Sequence, residues 1–472
     1  MSDIKERDSV RHKNDLGKDP VGPLILRLAI PTMLAQLVSV LYSIVDRMYI
    51  GNIPEIGTVA LAGVGVCGPI VTLLSSFATL VGLGGAPNLA MRMGEGNREE
   101  AQRVLNNGFL MLTVLSGALT ALFLLLREPL LMCFGASEAT FPYANTYLTI
   151  YTAGTFFALM ATGMNSFLIC QGRSGLGMLT VLVGAVMNII LDPVFIYLLG
   201  LDVAGAAIAT VISQMCSCGL VLFFLRRKSM PVRLGWGGFR WRIIGRIASF
   251  GLTPFLIIAT DSVLLIVLNA VLQRYGGPGE GDILVTCATI VQSYMCIITM
   301  PMGGITGGCQ SVVSFNYGAG QPDRIKKAIR YICALCLAFT ALMTVFTYTL
   351  SPLFVRLFTA DAALMARTVG YIKVYTFGII PLAVQYTLVD EVTAMGHLRL
   401  ALFCSLFRKA TFLAGTVLFP ALLSADAAFY AEPVCDVLCA AVTAVLFLLS
   451  FPKMIAGRME DLRRLGDIKS GG

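Results

Sequence analysis

Charge is scarce in this sequence. Asp, Glu, Lys and Arg make up 13% of its 472 residues, about half the share usual in soluble proteins. Histidine is scarcer still, with only His12 and His397. A His-based metal framework and an HExxH zinc helix are thereby excluded. Thirteen cysteines do not make up the deficit. Cys216/Cys218, Cys333/Cys336 and Cys435/Cys439 lie in or beside apolar stretches, where a thiol behaves as a small hydrophobe. "GVGVCG", Gly63 to Gly68, has the dinucleotide-loop spacing. It sits inside an apolar run with no strand before it, which makes it packing glycine.

What the chain has in excess is apolar length. It is 57% hydrophobic, and about twelve runs approach or exceed the ~20 residues that cross a bilayer. They cover roughly 23–50, 58–90, 104–126, 139–170, 174–199, 203–225, 243–273, 283–314, 328–350, 364–394, 399–423 and 427–451. The fold class expected is an all-α polytopic membrane protein. The first run follows a charged stretch and lacks a small-residue cleavage site, so it is expected to be a retained helix rather than a signal peptide. The net charge of +8 does not point to nucleic acid, because the basic residues alternate between loops. They cluster at Lys5–Lys18, Arg92–Arg103, Arg226–Arg246, Arg324–Arg330, Arg399–Lys409 and Lys453–Arg464, while the intervening loops hold Asp202, Glu280, Asp282, Asp426 and Glu432. This is the positive-inside pattern. It puts both termini in the cytoplasm and basic loops against anionic lipid.

The chain is written twice. Pro31 in "LAIPTMLAQLV" has a counterpart in Pro254, offset 254 − 31 = 223. Gly94 in "MGEGNREEAQRVL" maps to Gly318, and Gly172 in "ICQGRSGLGML" to Gly396, both at 224. Two six-helix lobes related by a parallel repeat follow, with residues 1–23 as N-terminal segment, 24–225 as first lobe, 226–242 as linker, 243–451 as second lobe and 452–472 as tail. Such repeats are typical of secondary transporters, with substrate held between the halves. The linker carries both tryptophans, Trp236 and Trp241, expected to anchor at the membrane interface.

The repeat also tests the acids. Asp46 maps to Asn269, Asn188 to Phe412 and Asp192 to Thr416, so the first half has a polar set that the second lacks. Asn188 and Asp192 stand at i and i+4 and share one helix face. Pro193 follows and removes the N–H that would bond the Ile189 carbonyl. On the next helix Ala206 and Thr210 are again at i and i+4, and Asp46 lies about four turns beyond Pro31. A carboxylate in hydrocarbon costs several kcal/mol and normally faces a cavity or a partner. Two carboxylates with neutral oxygens describe a site for Na⁺, or for protons held on the acids. The plainer alternatives are that Asp46 is solvated at the membrane surface and that Asp192 caps a helix end.

In order along the chain, "IPTMLAQLVSVLYSIVDRMYIG", "ALAGVGVCGPI", "MGEGNREEA" and "NIILDPVFIY" resemble the multidrug and toxic compound extrusion family, over nearly the whole length, and within it the bacterial DinF-like branch. The resemblance implies a first-half cation site at Asp46, Asn188, Asp192, Thr210 and the Ala206 carbonyl, with Pro31 as the point where the first helix bends. It implies export of varied, often cationic, lipophilic compounds in exchange for Na⁺ or H⁺ from the bacterial cytoplasmic membrane. No cofactor, no metal beyond a Na⁺ site and no enzymatic activity are expected, and the chain is expected to act as a monomer. Asp261, Asp390 and Glu391 depart from the branch and are candidates for lining the substrate cavity. Two rival readings fit less well. A lipid-linked precursor flippase would need about fourteen spans and a basic cavity. An intramembrane aspartyl protease is suggested by "GEGD", Gly279 to Asp282, but no Tyr-Asp partner dipeptide occurs.

Overall fold

In a computed structural model the chain is described over residues 14–134, 136–277, 279–359 and 361–470. Residues 1–13, with Lys5 and His12, lie outside the described residues, as does the side chain of Asp282. The described residues form a bundle of apolar helices. These are α1 (Val21–Gly51), α2 (Gly57–Gly94), α3 (Arg98–Cys133), α4 (Phe141–Ala153 and Thr155–Ile169), α5 (Ser174–Pro193, running on as a π-helix Val194–Leu198) and α6 (Asp202–Arg226). The second half repeats the order with α7 (Trp241–Gly276), α8 (Glu280–Gly318), α9 (Pro322–Val355), α10 (Ala362–Tyr375, a 3₁₀ turn Thr376–Gly378, then Ile379–Ala394), α11 (Leu398–Leu422) and α12 (Ala431–Ser470). Among the described residues eleven helices are long and apolar enough to span a membrane, and the two parts of α4, bent by 57°, make a twelfth if taken as one span.

The repeat is built into the backbone. Gly96 and Gly320 both have positive φ, as do Gly172 and Gly396, and each pair is 224 apart. Only glycine adopts this left-handed turn without strain. The break in α4 falls at Gly154, and its counterpart 378 − 154 = 224 positions later is Gly378, where α10 is interrupted. Both glycines admit a close neighbour. A Cβ on Gly154 would stand 2.5 Å from Val211 Cγ2, and one on Gly378 would stand 2.6 Å from Asp436 Cβ.

Two apolar cores hold the bundle together, and they do not divide at the sequence midpoint. The first runs from Ile50 to Ile247 and so takes in the start of α7. The second takes in Leu16 to Ala29, the start of α1, together with residues 268–454. Each half thus lends the start of its first helix to the other. Where the halves meet, backbones touch. A Cβ on Gly94 would lie 2.0 Å from the Phe315 carbonyl oxygen and one on Gly318 2.1 Å from that of Met91. Since 315 − 91 = 224, this is one contact made twice, and the axis relating the halves passes through it.

This end of the bundle carries the basic loops. Asn14 donates to the Gly172 carbonyl at 2.9 Å, while Arg324 donates to the carbonyls of Leu16 and Asp19 at 3.0 and 2.9 Å. Residues 14–19 therefore strap the first half to the second. The linker is pinned by buried amides: Asn106 and Asn107 donate to the carbonyls of Gly237 and Gly238 and accept from the N–H groups of Gly235 and Arg240. The segment 452–470, expected as a tail, continues α12 as helix. Its residues are too polar for a hydropathy run, but nothing in them breaks a helix beyond Pro452.

Candidate functional site

Pro31 lies within an unbroken α1. Its ring removes the donor for the carbonyl four residues back, Arg27. Ser174, at the start of α5, fills that gap: its hydroxyl donates to the Arg27 oxygen at 3.2 Å. The next residue, Thr32, returns its hydroxyl to the carbonyls of Leu28 and Ala29 and packs against Gly308 of α8. The helix continues through Pro31, and a hydroxyl from a neighbouring helix compensates the lost bond.

Near the other end of α1, Asp46 meets α5. Its carboxyl group and that of Asp192 stand within electrostatic reach of each other. Asp192 is fully buried and Asn188 is 2% exposed. The Asn188 amide donates to Asp192 Oδ1 at 3.0 Å and to Thr210 Oγ1, across on α6, at 3.4 Å. Ala206 is buried one turn earlier on α6. Four of the five residues anticipated from sequence thus have side chains in one cluster, with Ala206 beside it. Local chemistry explains the shape. Pro193 ends the regular α-helical bonding of α5, and the chain widens into the π-turn Val194–Leu198. Such turns are frequent at functional sites. A Cβ on Gly205 would come within 2.7 Å of the Phe195 carbonyl, so α6 lies tightly on that turn, which sets Thr210 opposite Asn188.

Three oxygens in this cluster, Asp46 Oδ1, Asp192 Oδ2 and Asn188 Oδ1, are buried without a hydrogen-bond partner. Each such orphan costs about 1–3 kcal/mol, and more where it is charged. Tyr42 and Tyr147 stand within electrostatic reach of Asp46. Tyr151 accepts from Gln214 at 3.4 Å. Aromatic side chains therefore lie close to the acids.

The three second-half acids do not converge. Asp390 accepts from Thr306 of α8 at 2.5 Å, and its carbonyl from Gln310 at 3.3 Å. Glu391, its neighbour, points elsewhere. It is fully buried, with neither carboxylate oxygen partnered. Asp261 is exposed and its carboxylate is held by Lys409 of α11. Arg399–Lys409, expected as a basic loop, belongs instead to α11, which begins at Leu398, so Arg408 and Lys409 lie about three turns inside the span. There Arg408 binds Glu432 at 2.5 Å and Asp436 at 3.0 Å on α12. In the sequence Arg408, Lys409 and Glu432 were read as loop charges and Asp436 was not singled out. The signal of the group was present, since four charged residues at 408, 409, 432 and 436 fall inside or at the edge of apolar runs.

A family model described as MatE matches residues 31–194 and again 256–414. The chain belongs to the MatE family. It is a membrane transporter and not an enzyme. The two matched segments start 256 − 31 = 225 residues apart, in keeping with the repeat. Among curated relatives, the FAD transporter of Shewanella oneidensis is 26% identical over 385 residues, covering 79% of this chain and 82% of the relative. The multidrug export protein MepA of Staphylococcus haemolyticus is 23% identical, covering 90% and 92%. Among solved structures, the outward-facing conformation of a multidrug resistance MATE family transporter superimposes with a TM-score of 0.86 at 22% identity, over 94% of this chain and 98% of that one. A transporter of the same superfamily from Pyrococcus furiosus has the same TM-score and identity, over 93% and 97%.

Proposed function

We propose that this MatE-family transporter exports organic, often cationic compounds across the bacterial cytoplasmic membrane in exchange for Na⁺ or H⁺. It works as a monomer with its basic face and both termini in the cytoplasm. The observation that carries this reading is the first-half cluster. Two facing acids and three partnerless buried oxygens, on helices that meet at a proline and a π-turn, are what a desolvated cation requires. A cation entering there supplies the missing partner to Asp46, Asp192 and Asn188, with Thr210 and the Ala206 carbonyl completing the shell. This is the set the DinF-like branch would use. The first and second lobes, 24–225 and 243–451, rock about the Gly94–Gly318 contact to expose the cavity alternately to either side. Asp390 and its surroundings receive cationic substrate.

The name of the MepA relative supports multidrug export. A flavin nucleotide is the competing substrate class, since the Shewanella relative is named for it and α11 carries two cations well inside its span, Arg408 and Lys409. Both cations are already matched, Arg408 by Glu432 and Asp436 and Lys409 by Asp261, which favours cationic cargo. The same pairing weighs against a flippase with a basic cavity. The test is substrate efflux from proteoliposomes under imposed Na⁺ or pH gradients, with a lipophilic cation and FAD as alternative cargoes. Asp192→Asn should insert normally and lose gradient-driven efflux of the cation. Full coupled efflux by that variant would remove the proposed site.

A further inference from the structure

The first-half site makes no use of the charged group between α11 and α12. One nitrogen of Arg408 serves both Glu432 and Asp436. Tyr375 of α10 donates to the other oxygen of Glu432 at 3.5 Å and itself accepts from Gln292 at 2.8 Å. Tyr386 of α10 and the thiols of Cys435 and Cys439 also face the group. Lys409 is nearby but committed to Asp261. The charge therefore does not balance: one guanidinium stands against two carboxylates. Asp436 is fully buried, and its second oxygen, Oδ2, has no partner. Holding an unmatched carboxylate there costs several kcal/mol, whereas a neutral acid costs far less.

Space decides what the missing positive charge is. Gly378, at the break in α10, packs so closely that a Cβ on it would stand 3.0 Å from Asp436 Oδ2 and 2.6 Å from its Cβ. A metal ion needs a shell of several oxygens around it. A proton needs only a lone pair. Position decides what the group is for. By the offset of 224, α11 and α12 correspond to α5 and α6, the helices that carry Asn188, Asp192 and Thr210. Arg408, Glu432 and Asp436 themselves correspond to Gly184, Ile208 and Ile212. The second half has placed an ionisable pair in the equivalent helix pair, using different residues.

We propose that Glu432 and Asp436, clamped by Arg408, bind one exchangeable proton, so that the second half is a proton site whichever ion the first half takes. The proton forms an O–H bond at Asp436 Oδ2. Glu432, whose side chain keeps 9% exposure, is the carboxylate through which it reaches solvent. This rests on the reading of the chain as a cation-driven exporter, but its primary test does not require transport. Infrared difference spectra between about pH 5 and pH 9 are recorded on purified protein in lipid nanodiscs. The parent is Asp46→Asn/Asp192→Asn/Asp390→Asn/Glu391→Gln, which lacks the acids of the first-half cluster and those of α10. A protonated-carboxyl band that grows on acidification should be present in this parent and lost in Asp436→Asn. In Glu432→Gln, an independent variant, the band should persist with its midpoint displaced. An unchanged titration in both variants would overturn the proposal. So would a band deleted by Asp436→Asn that is constant across the pH range, because the proton would then be a fixed structural one. In proteoliposomes with the first half intact, Asp436→Asn should lower the proton count per substrate by about one. Should Asp192→Asn keep full coupling while the infrared band behaves as expected, the first-half reading fails and this one stands.

Discussion

Asn188 is the residue on which the choice of ion turns. Its amide nitrogen is spent on Asp192 and Thr210, which leaves its oxygen as one of the three without a partner. For Na⁺ that oxygen is a ligand. For a proton it is dispensable, since a carboxylate suffices. Asn188→Ala should therefore weaken Na⁺-driven efflux about 10–100-fold in apparent ion affinity if the site takes Na⁺, with Thr210→Ala acting in the same direction. Under a pH gradient alone, both variants should stay within a few-fold of wild type. Efflux rates measured against each imposed gradient separate the two cases. Asp390 tests a different function. Asp390→Asn keeps an oxygen for Thr306 to donate to, so the fold should survive, while attraction for a cationic cargo is lost. The expected result is a several-fold rise in KM for cations with little change in ion dependence. Abolished ion coupling, with Asp46 and Asp192 intact, would show that the ion site lies in the second half and not in the first.

At the scale of elements, α1 carries a proline whose lost hydrogen bond is repaired from outside. Ser174 supplies the donor that Pro31 cannot. A helix repaired in this way can bend by releasing a single side-chain bond, worth about 1 kcal/mol. Pro31→Ala restores the backbone N–H and should stiffen α1, lowering turnover several-fold for every substrate, whatever its affinity. Transport at the wild-type rate across a panel of substrates would mean that α1 does not bend there during the cycle. Ser174→Ala should do the opposite, favouring the bent form, which distance measurements between spin labels flanking Pro31 would detect.

For the molecule as a whole, the basic end is closed by backbone contact and by one ion pair across the axis. Arg458, on the continuation of α12, binds Glu95 of the first half at 2.6 Å and donates to the carbonyls of Tyr317 and Gly318. Both side chains are largely shielded, at 13% and 15% exposure. Glu95→Gln should relax this end by about 1 kcal/mol, roughly a five-fold shift in population. The readout is the accessibility of cysteines introduced beside Gly94 and Gly318 to a membrane-impermeant thiol reagent from the basic side. Unchanged labelling would leave closure to the glycine contacts alone. Gly318→Val, which sets a side chain against the Met91 carbonyl, should open the same end more strongly.

Most of the architecture was legible in the sequence, because hydrocarbon imposes a single rule: backbone groups must bond internally, so apolar runs of bilayer length become helices. The repeat was legible because turn glycines cannot be exchanged without strain, and Gly172 and Gly396 keep their places. Asn188, Asp192 and Thr210 were legible because the periodicity of a helix fixes which side chains share a face. Other features depended on distance through space. Sequence could not show that Ser174 repairs Pro31, that the starts of α1 and α7 pack with the opposite halves, or that a glycine break in α10 presses on Asp436. Arg408 and Glu432 read as loop residues and Asp436 passed unnoticed, because hydropathy averages over a window and a matched charge inside a span looks like a boundary. Charge is summed along the chain in a sequence, but it is balanced only among neighbours in space, and those neighbours are chosen by the packing of α11 against α12.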